Sequence, residues 1–293
     1  MHCTNCGKQV NTNEKFCTGC GKPLSHKSKS SNFKFRGRPL NIPGLVVILI
    51  IIVLVIYGAY ASSQDDTARQ SNDQGLSSMN NGNTQLATQQ LQSASQTASD
   101  DNIKRATLIN LAYVYESDNK DLQALTTFKQ ALQLAQSNTS DYYLILAEIA
   151  DLQGDQYSAY TNFNNADQIN PNNYQITNSL GLFYLDLDNT STNYENYPKA
   201  LILLKKAYSI APVVNGEIAK QNLAIAYCLN DNYAQTISLL LNENFNNFPY
   251  SAYWLGLAYL GEGDSINGRF YLQKAVNLGA NVPQKIKDFL NSN

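Results

Sequence analysis

The sequence predicts a mainly α protein in three unequal parts: a four-cysteine metal module, one transmembrane helix, and a solenoid of about five stacked helix pairs. Three observations carry this reading. Four of the five cysteines fall within the first 20 residues, an unbroken aliphatic run sits near residue 50, and a small-and-large residue pattern repeats through the second half of the chain. Together they divide the chain into a cysteine module over 1–24, a basic linker over 25–43, a transmembrane helix over 44–61, a polar spacer over 62–100 and a repeat domain with a C-terminal capping helix over 101–293.

The repeat domain is read from spacing. Leu111, Ala112 and Tyr115 are followed by Ala124, Phe128 and Ala131, and 35 residues later Leu146 and Ala147 are followed by Gly154, Ala159, Phe163, Ala166 and Pro171. A third unit holds Leu180, Gly181, Tyr184, Ala200, Leu204, Ala207 and Pro212, with about seven extra residues between its halves. A fourth holds Leu223, Ala224, Tyr227, Tyr233 and Leu240, and a fifth Leu255, Gly256, Tyr259, Gly263, Leu272 and Ala275. Small residues let the first helix of a pair approach the second, aromatic residues fill the space between them, and Gly or Pro falls where the chain turns. The pattern over roughly residues 104–280 resembles the tetratricopeptide repeat, which implies a superhelix of helix pairs that binds a protein or peptide on its concave face. Thr236 and Gly268 stand where that family usually has Ala. Ile286, Phe289 and Leu290 share one face of a final capping helix.

Cys3-Thr4-Asn5-Cys6-Gly7-Lys8 and Cys17-Thr18-Gly19-Cys20-Gly21-Lys22 are two near-identical turns. Each presents two thiolates to one side, and two such turns complete a tetrahedral S₄ site, so Cys3, Cys6, Cys17 and Cys20 are expected to hold a structural zinc ion. Iron suits the same ligands, and two disulfides are the alternative in an oxidising compartment. The module resembles the short zinc ribbons that precede a transmembrane segment in many bacterial membrane proteins. Cys228, far from the others, reads as a buried thiol.

Residues 45–56 are twelve consecutive aliphatic residues, and the eighteen residues of 44–61 make a helix of about 27 Å, near the hydrocarbon thickness of a bilayer. At roughly −0.3 to −0.6 kcal/mol per residue, insertion of the twelve is favoured by about 4–7 kcal/mol. Ala59, Tyr60 and Ala61 imitate a signal-peptide cleavage site, but more than forty residues precede the run, which favours an uncleaved anchor. Lys8, Lys15, Lys22, Lys27, Lys29, Lys34, Arg36 and Arg38 face only Glu14 on the N-terminal side, whereas Asp65, Asp66 and Asp73 with Arg69 follow the run. That asymmetry puts the N-terminus in the cytoplasm and the repeats on the extracytoplasmic side of the cell membrane. The basic segment admits anionic lipid or nucleic acid as a ligand, with topogenic charge as the simpler reading. Residues 62–100, rich in Ser, Gln, Asn and Thr, read as a spacer in which a helix near 84–98 could cap the repeats.

The two histidines lie outside the repeats and no phosphate-binding loop or catalytic constellation is present, so neither an enzyme nor a small-molecule substrate is expected. Asp186, Asp188, Thr190 and Glu195 imitate a calcium loop, but Ser191 replaces the required Gly, so the segment reads as an inserted polar loop. Helix geometry places Tyr113, Glu116, Leu144, Glu148, Asp151, Leu182, Asp186, Ile225, Tyr253 and Leu257 on the concave face, acidic toward the N-terminal half and apolar toward the C-terminal half. The expected function is a membrane-anchored adaptor or scaffold that binds a basic, partly apolar segment. The alternatives are a transmembrane regulator or sensor whose ribbon touches a cytoplasmic protein or nucleic acid, and a structural component of the cell envelope.

Overall fold

The structure, a computed structural model, describes residues 1–11, 14–24, 42–186 and 197–292, with side chains given from residue 47 of the first helix onward. Most of the basic linker, with Lys27, Lys29, Lys34, Arg36 and Arg38, and the inserted loop with Asp188, Thr190, Ser191 and Glu195 lie outside the described residues. The chain forms two compact units, Met1–Leu54 and Val55–Asn293.

In the first unit, residues 1–11 and 14–24 fold as two tight turns, each closed by an antiparallel bridge, His2 with Gln9 and Phe16 with Pro23. Val10, Cys3 and Cys17 are its buried apolar groups, with Leu24 packed beside them. Helix α1, Ile42–Asn80, follows. From Val47 to Ile56 its ten large apolar side chains are each between 47% and 65% exposed, and none of the described residues buries them.

The second unit is a succession of helix pairs in the order of the chain: α2 (Thr84–Thr97), α3 (Asp101–Ser117), α4 (Asp121–Gln133), α5 (Ser140–Leu152), α6 (Gln156–Ile169), α7 (Tyr174–Asp186), α8 (Tyr197–Ile210), α9 (Gly216–Leu229), α10 (Tyr233–Leu240), α11 (Pro249–Gly261), α12 (Ser265–Asn277) and α13 (Gln284–Asn291). Helices α3/α4, α5/α6, α7/α8, α9/α10 and α11/α12 pack as the five expected pairs, and Ile286 of α13 is buried against the last. Gly154 and Gly263 take positive φ (76° and 82°) at the turns inside their pairs, where a left-handed residue ends the first helix. The irregular positions have local causes. Thr236 is fully buried because its Oγ1 donates to the Ala224 carbonyl at 2.9 Å, and Gly268 makes room for Leu260. Cys228 is buried, and burial pushes its thiol up to about 12.

Within residues 62–100 the helix expected near 84–98 is present as α2, and residues 62–80 are helical where the sequence reads as a spacer. The end of α1 and all of α2 pack as an additional helix pair ahead of the five. A Cβ on Gly75 would meet the Leu91 side chain at 2.6 Å, as one on Gly181 would meet Leu204 and one on Gly256 would meet Leu272, each at 2.7 Å. Gly75 and Leu91 are separated by the same sixteen positions as Gly256 and Leu272, and Ala87 and Ala94 flank Leu91 as Gly268 and Ala275 flank Leu272. This is the same close helix approach, repeated in a segment of different composition. Asp65 anchors the pair from the other end, accepting N–H bonds from Ser99 (2.7 Å) and Asp100 (3.0 Å). The Asp100 and Ser99 amides hold its carboxyl below the usual carboxylate range.

Candidate metal centre and concave cavity

The ribbon turns explain the cysteine geometry. In each, the first cysteine donates its N–H to the lysine carbonyl five residues on (Cys3 to Lys8 and Cys17 to Lys22, both 2.9 Å). The following glycine donates back to the cysteine carbonyl, Gly7 at 2.9 Å and Gly21 at 2.8 Å, from a positive φ that L side chains rarely adopt. The four Sγ atoms all lie within 4.8 Å of one another, with Cys3–Cys20 at 3.7 Å and Cys6–Cys17 at 3.5 Å. A tetrahedral ion with Zn–S bonds of ~2.3 Å needs thiolates about 3.8 Å apart, so the donor set fits one ion in size and in chemistry. Backbone N–H groups also point at the sulfurs. The Asn5 and then Cys6 amides lower the Cys3 thiol, and the Lys22 amide and then the Cys6 thiol bring Cys20 down to about 6, while at Cys6 the Lys8 amide is opposed by the Cys17 and Cys20 thiols, which push it up to about 12, as one proton-sharing cluster would.

The second site lies on the concave face of the solenoid. A cavity of about 330 Å³ is walled by the first helices of successive pairs, α1, α3, α5, α7 and the start of α9. Of the residues read as a groove, Tyr113, Glu116, Glu148, Asp151, Leu182 and Asp186 all line it, joined by Leu76, Met79, Tyr174, Phe183 and Ile218, and no Lys or Arg does. The other four lie elsewhere. Leu144 is 1% exposed and belongs to the core with Phe163, Ile176 and Leu180, so its assignment to the groove is corrected: it fills the seam between pairs. Ile225 is half-buried against that core, and Tyr253 and Leu257 pack in the last pair, beyond the α9 wall.

Polar bonds run across the cavity floor from helix to helix. Tyr113 on α3 donates its hydroxyl to Glu148 on α5 at 2.7 Å and lies 3.1 Å from the Ser179 hydroxyl on α7. Asn110 on α3 donates to Asn72 on α1 (2.9 Å) and accepts from Gln175 on α7 (2.7 Å). Burial, then the neighbouring Glu148, pushes the Glu116 carboxyl up to about 9. Burial also pushes Glu148 to about 7, against the hydrogen bonds from Ser179 and Tyr113 that favour its charge. Asp151 rises to about 6, from burial and then Asp186, while Asp186 itself is exposed at the rim. The cavity therefore holds carboxyl groups that lack a cationic partner among its lining residues, set beside aromatic and aliphatic surface.

Sequence reasoning missed the contribution of α1. Leu76 and Met79 close one side of the cavity, and Asn80 reaches α9, where its Oδ1 accepts the N–H groups of Glu217 (2.8 Å) and Ile218 (3.3 Å). The spacing of Gly75, Ala87, Leu91 and Ala94 was the available signal for that pair.

Comparison with known proteins places these parts. Residues 2–24 match the family model of the zinc-ribbon domain. Over 134 residues, 43% of the chain, the sequence is 30% identical to tetratricopeptide repeat protein 1 of Schizosaccharomyces pombe (strain 972 / ATCC 24843), spanning 12% of that protein's length. Among solved structures, the fold is similar to a crystal structure of the APC/C hetero-tetramer Cut9-Hcn1 (TM-score 0.50, 16% identity, 71% of this chain and 39% of that one). A crystal structure of YrrB, described as a TPR protein with an unusual peptide-binding site, also matches (TM-score 0.44, 17% identity, 64% of this chain and 91% of that one). The fold is a TPR-like α-solenoid preceded by a zinc ribbon and by one helix long and apolar enough to cross a membrane.

Proposed function

We propose that this chain is a membrane-anchored adaptor that binds a basic, partly apolar protein segment in the concave cavity of its repeats. The observation that carries the reading is the cavity itself: Glu116, Glu148, Asp151 and Asp186 stand beside Leu182 and Phe183 with no lysine or arginine among the lining residues. A lysine or arginine side chain entering it would gain charge-assisted hydrogen bonds, and neighbouring apolar residues would supply burial. The exposed aliphatic surface of α1 supports the anchor, because ten such side chains in water forfeit the burial that a bilayer provides. The basic N-terminal flank supports a cytoplasmic ribbon and extracytoplasmic repeats. Cys3, Cys6, Cys17 and Cys20 hold a structural zinc ion, four thiolates leaving no open position for substrate. Within this reading the protein binds and does not catalyse.

The test uses the full chain in nanodiscs and a fluorescent panel of peptides in which lysine alternates with leucine or phenylalanine, matched to glutamate-containing counterparts. The basic set should bind, and Glu148→Lys should weaken it at least tenfold. Equal binding of both sets, or of Glu148→Lys and the unaltered chain, would overturn the assignment.

A further inference from the structure

The closed side of the cavity is built from residues distant in sequence. Asn80 ends α1, yet it caps α9, 137 positions away, taking the two N–H groups that an N-cap side chain ordinarily satisfies. The local cap residue of α9, Asn215, makes no side-chain cap bond, so Asn80 replaces it. Two residues on, Gly82 has φ +72°, and a Cβ there would stand 2.2 Å from the Asn247 carbonyl oxygen, between α10 and α11. Only glycine satisfies both the backbone conformation and that approach. The turn between α1 and α2 is thus fitted against the start of α9 and the connection between α10 and α11, next to the cavity wall that α1 and α9 share. The contact includes two N–H bonds and one backbone approach, whereas α1 and α2 are held to each other by a buried Gly-Leu seam.

We propose that this turn is a clasp: the first helix pair swings on its seam with α3, and release of Asn80 and Gly82 from α9 and Asn247 opens the cavity to its ligand. The proposal rests on the cavity being the binding site, but its mechanics can be measured without any ligand. The clasp joins segments 137 positions apart through these polar and backbone contacts, so it can open locally while the helix pairs on either side stay folded. Admission to the cavity then follows the opening equilibrium, and a bound segment holds the clasp in one of its two states.

The experiment labels a cysteine inside the cavity. In the full chain carrying Cys228→Ser and Ser179→Cys, reaction with a cationic methanethiosulfonate reagent, read at residue 179 alone by peptide mass spectrometry because Cys3, Cys6, Cys17 and Cys20 also react, reports opening. Adding Asn80→Ala should speed labelling about tenfold, the factor expected from losing a cap that governs an opening equilibrium. Asp264→Ala, which removes an ordinary cap from α12, should leave labelling unchanged. Equal labelling with and without Asn80, or equal acceleration by both cap variants, would overturn the clasp. A second measurement needs no cap variant. Amide exchange at Glu217 and Ile218 should report the same opening constant as labelling of Ser179→Cys, since one event exposes both, and a tenfold disagreement would overturn the proposal. Failure of every basic peptide to bind would instead remove the proposed ligand and leave these rates untouched.

Discussion

In the ribbon, four thiols converge on one point with only Val10 and Leu24 behind them. In the solenoid, a small residue meets a large one in pair after pair, from Gly75 against Leu91 to Gly256 against Leu272. The first arrangement concentrates cohesion in a single centre, and the second distributes it along the chain. The contrast teaches where each part is vulnerable: the ribbon to the loss of one ligand, the solenoid to the loss of contacts in proportion to their number.

The largest effect should therefore come from the ribbon. Cys6→Ser or Cys17→Ser removes a ligand from a site where a bound ion would contribute roughly 10–16 kcal/mol, so the metal should be lost on chelation and amide protection at Cys3 and Cys17 should vanish. The solenoid's thermal transition should stay in place. Elemental analysis and hydrogen exchange check both halves, and a solenoid that melted with the ribbon would erase the contrast.

Next in size is the test of the additional pair. Leu91→Ala should cost roughly 2–5 kcal/mol in denaturant unfolding, and Leu272→Ala about the same, because each is fully buried against a glycine. If α2 were a loose spacer, Leu91→Ala would change nothing.

A smaller effect follows from the cavity carboxyls. The folded Glu148 carboxyl sits at about 7, above its ordinary 4.5, so the folded state holds a proton that the unfolded chain releases first. Its contribution is complete below pH 4.5, declines as pH rises, and levels off above pH 7; Glu116 carries the same decline toward pH 9. The melting temperature should fall by roughly 5 °C between pH 5 and pH 9, and Glu148→Gln should flatten that slope. A melting temperature that rose with pH would show that these groups are charged and paired.

The smallest effect is at Thr236. Replacing it by Val keeps its shape but removes the hydroxyl bond to Ala224, and equilibrium unfolding should register about 1 kcal/mol.

The five later pairs were legible because their large positions are mostly aromatic. Tyr115, Phe128, Phe163 and Tyr184 stand out against any background, and their spacing gives both the pairs and the inward face. The first pair was obscured because Ser78 and Leu91 occupy the corresponding places among Ser, Gln and Thr, a composition that resembles disorder unless the glycine contact is known. Helical periodicity brought Tyr113, Glu116, Glu148, Asp151, Leu182 and Asp186 to one cavity because the helices bearing them lie side by side. Periodicity gives direction and not depth, which is why Leu144, one turn before Glu148, belongs to the core. The clasp was invisible for another reason: nothing local to Asn80 or Gly82 names a partner more than 130 positions away.

That distance has a consequence for how the molecule comes into being. Contacts within and between neighbouring pairs close short loops and form early, whereas the bond from Asn80 to α9 closes a loop of 137 positions. On a chain emerging from its N-terminus, α1 and α2 are complete while α9 is still unmade. The solenoid is therefore born open, with its acidic interior reachable by any basic segment nearby, and shuts only when the fourth of the later pairs arrives. A ligand present during synthesis could be enclosed without ever having to force the mouth.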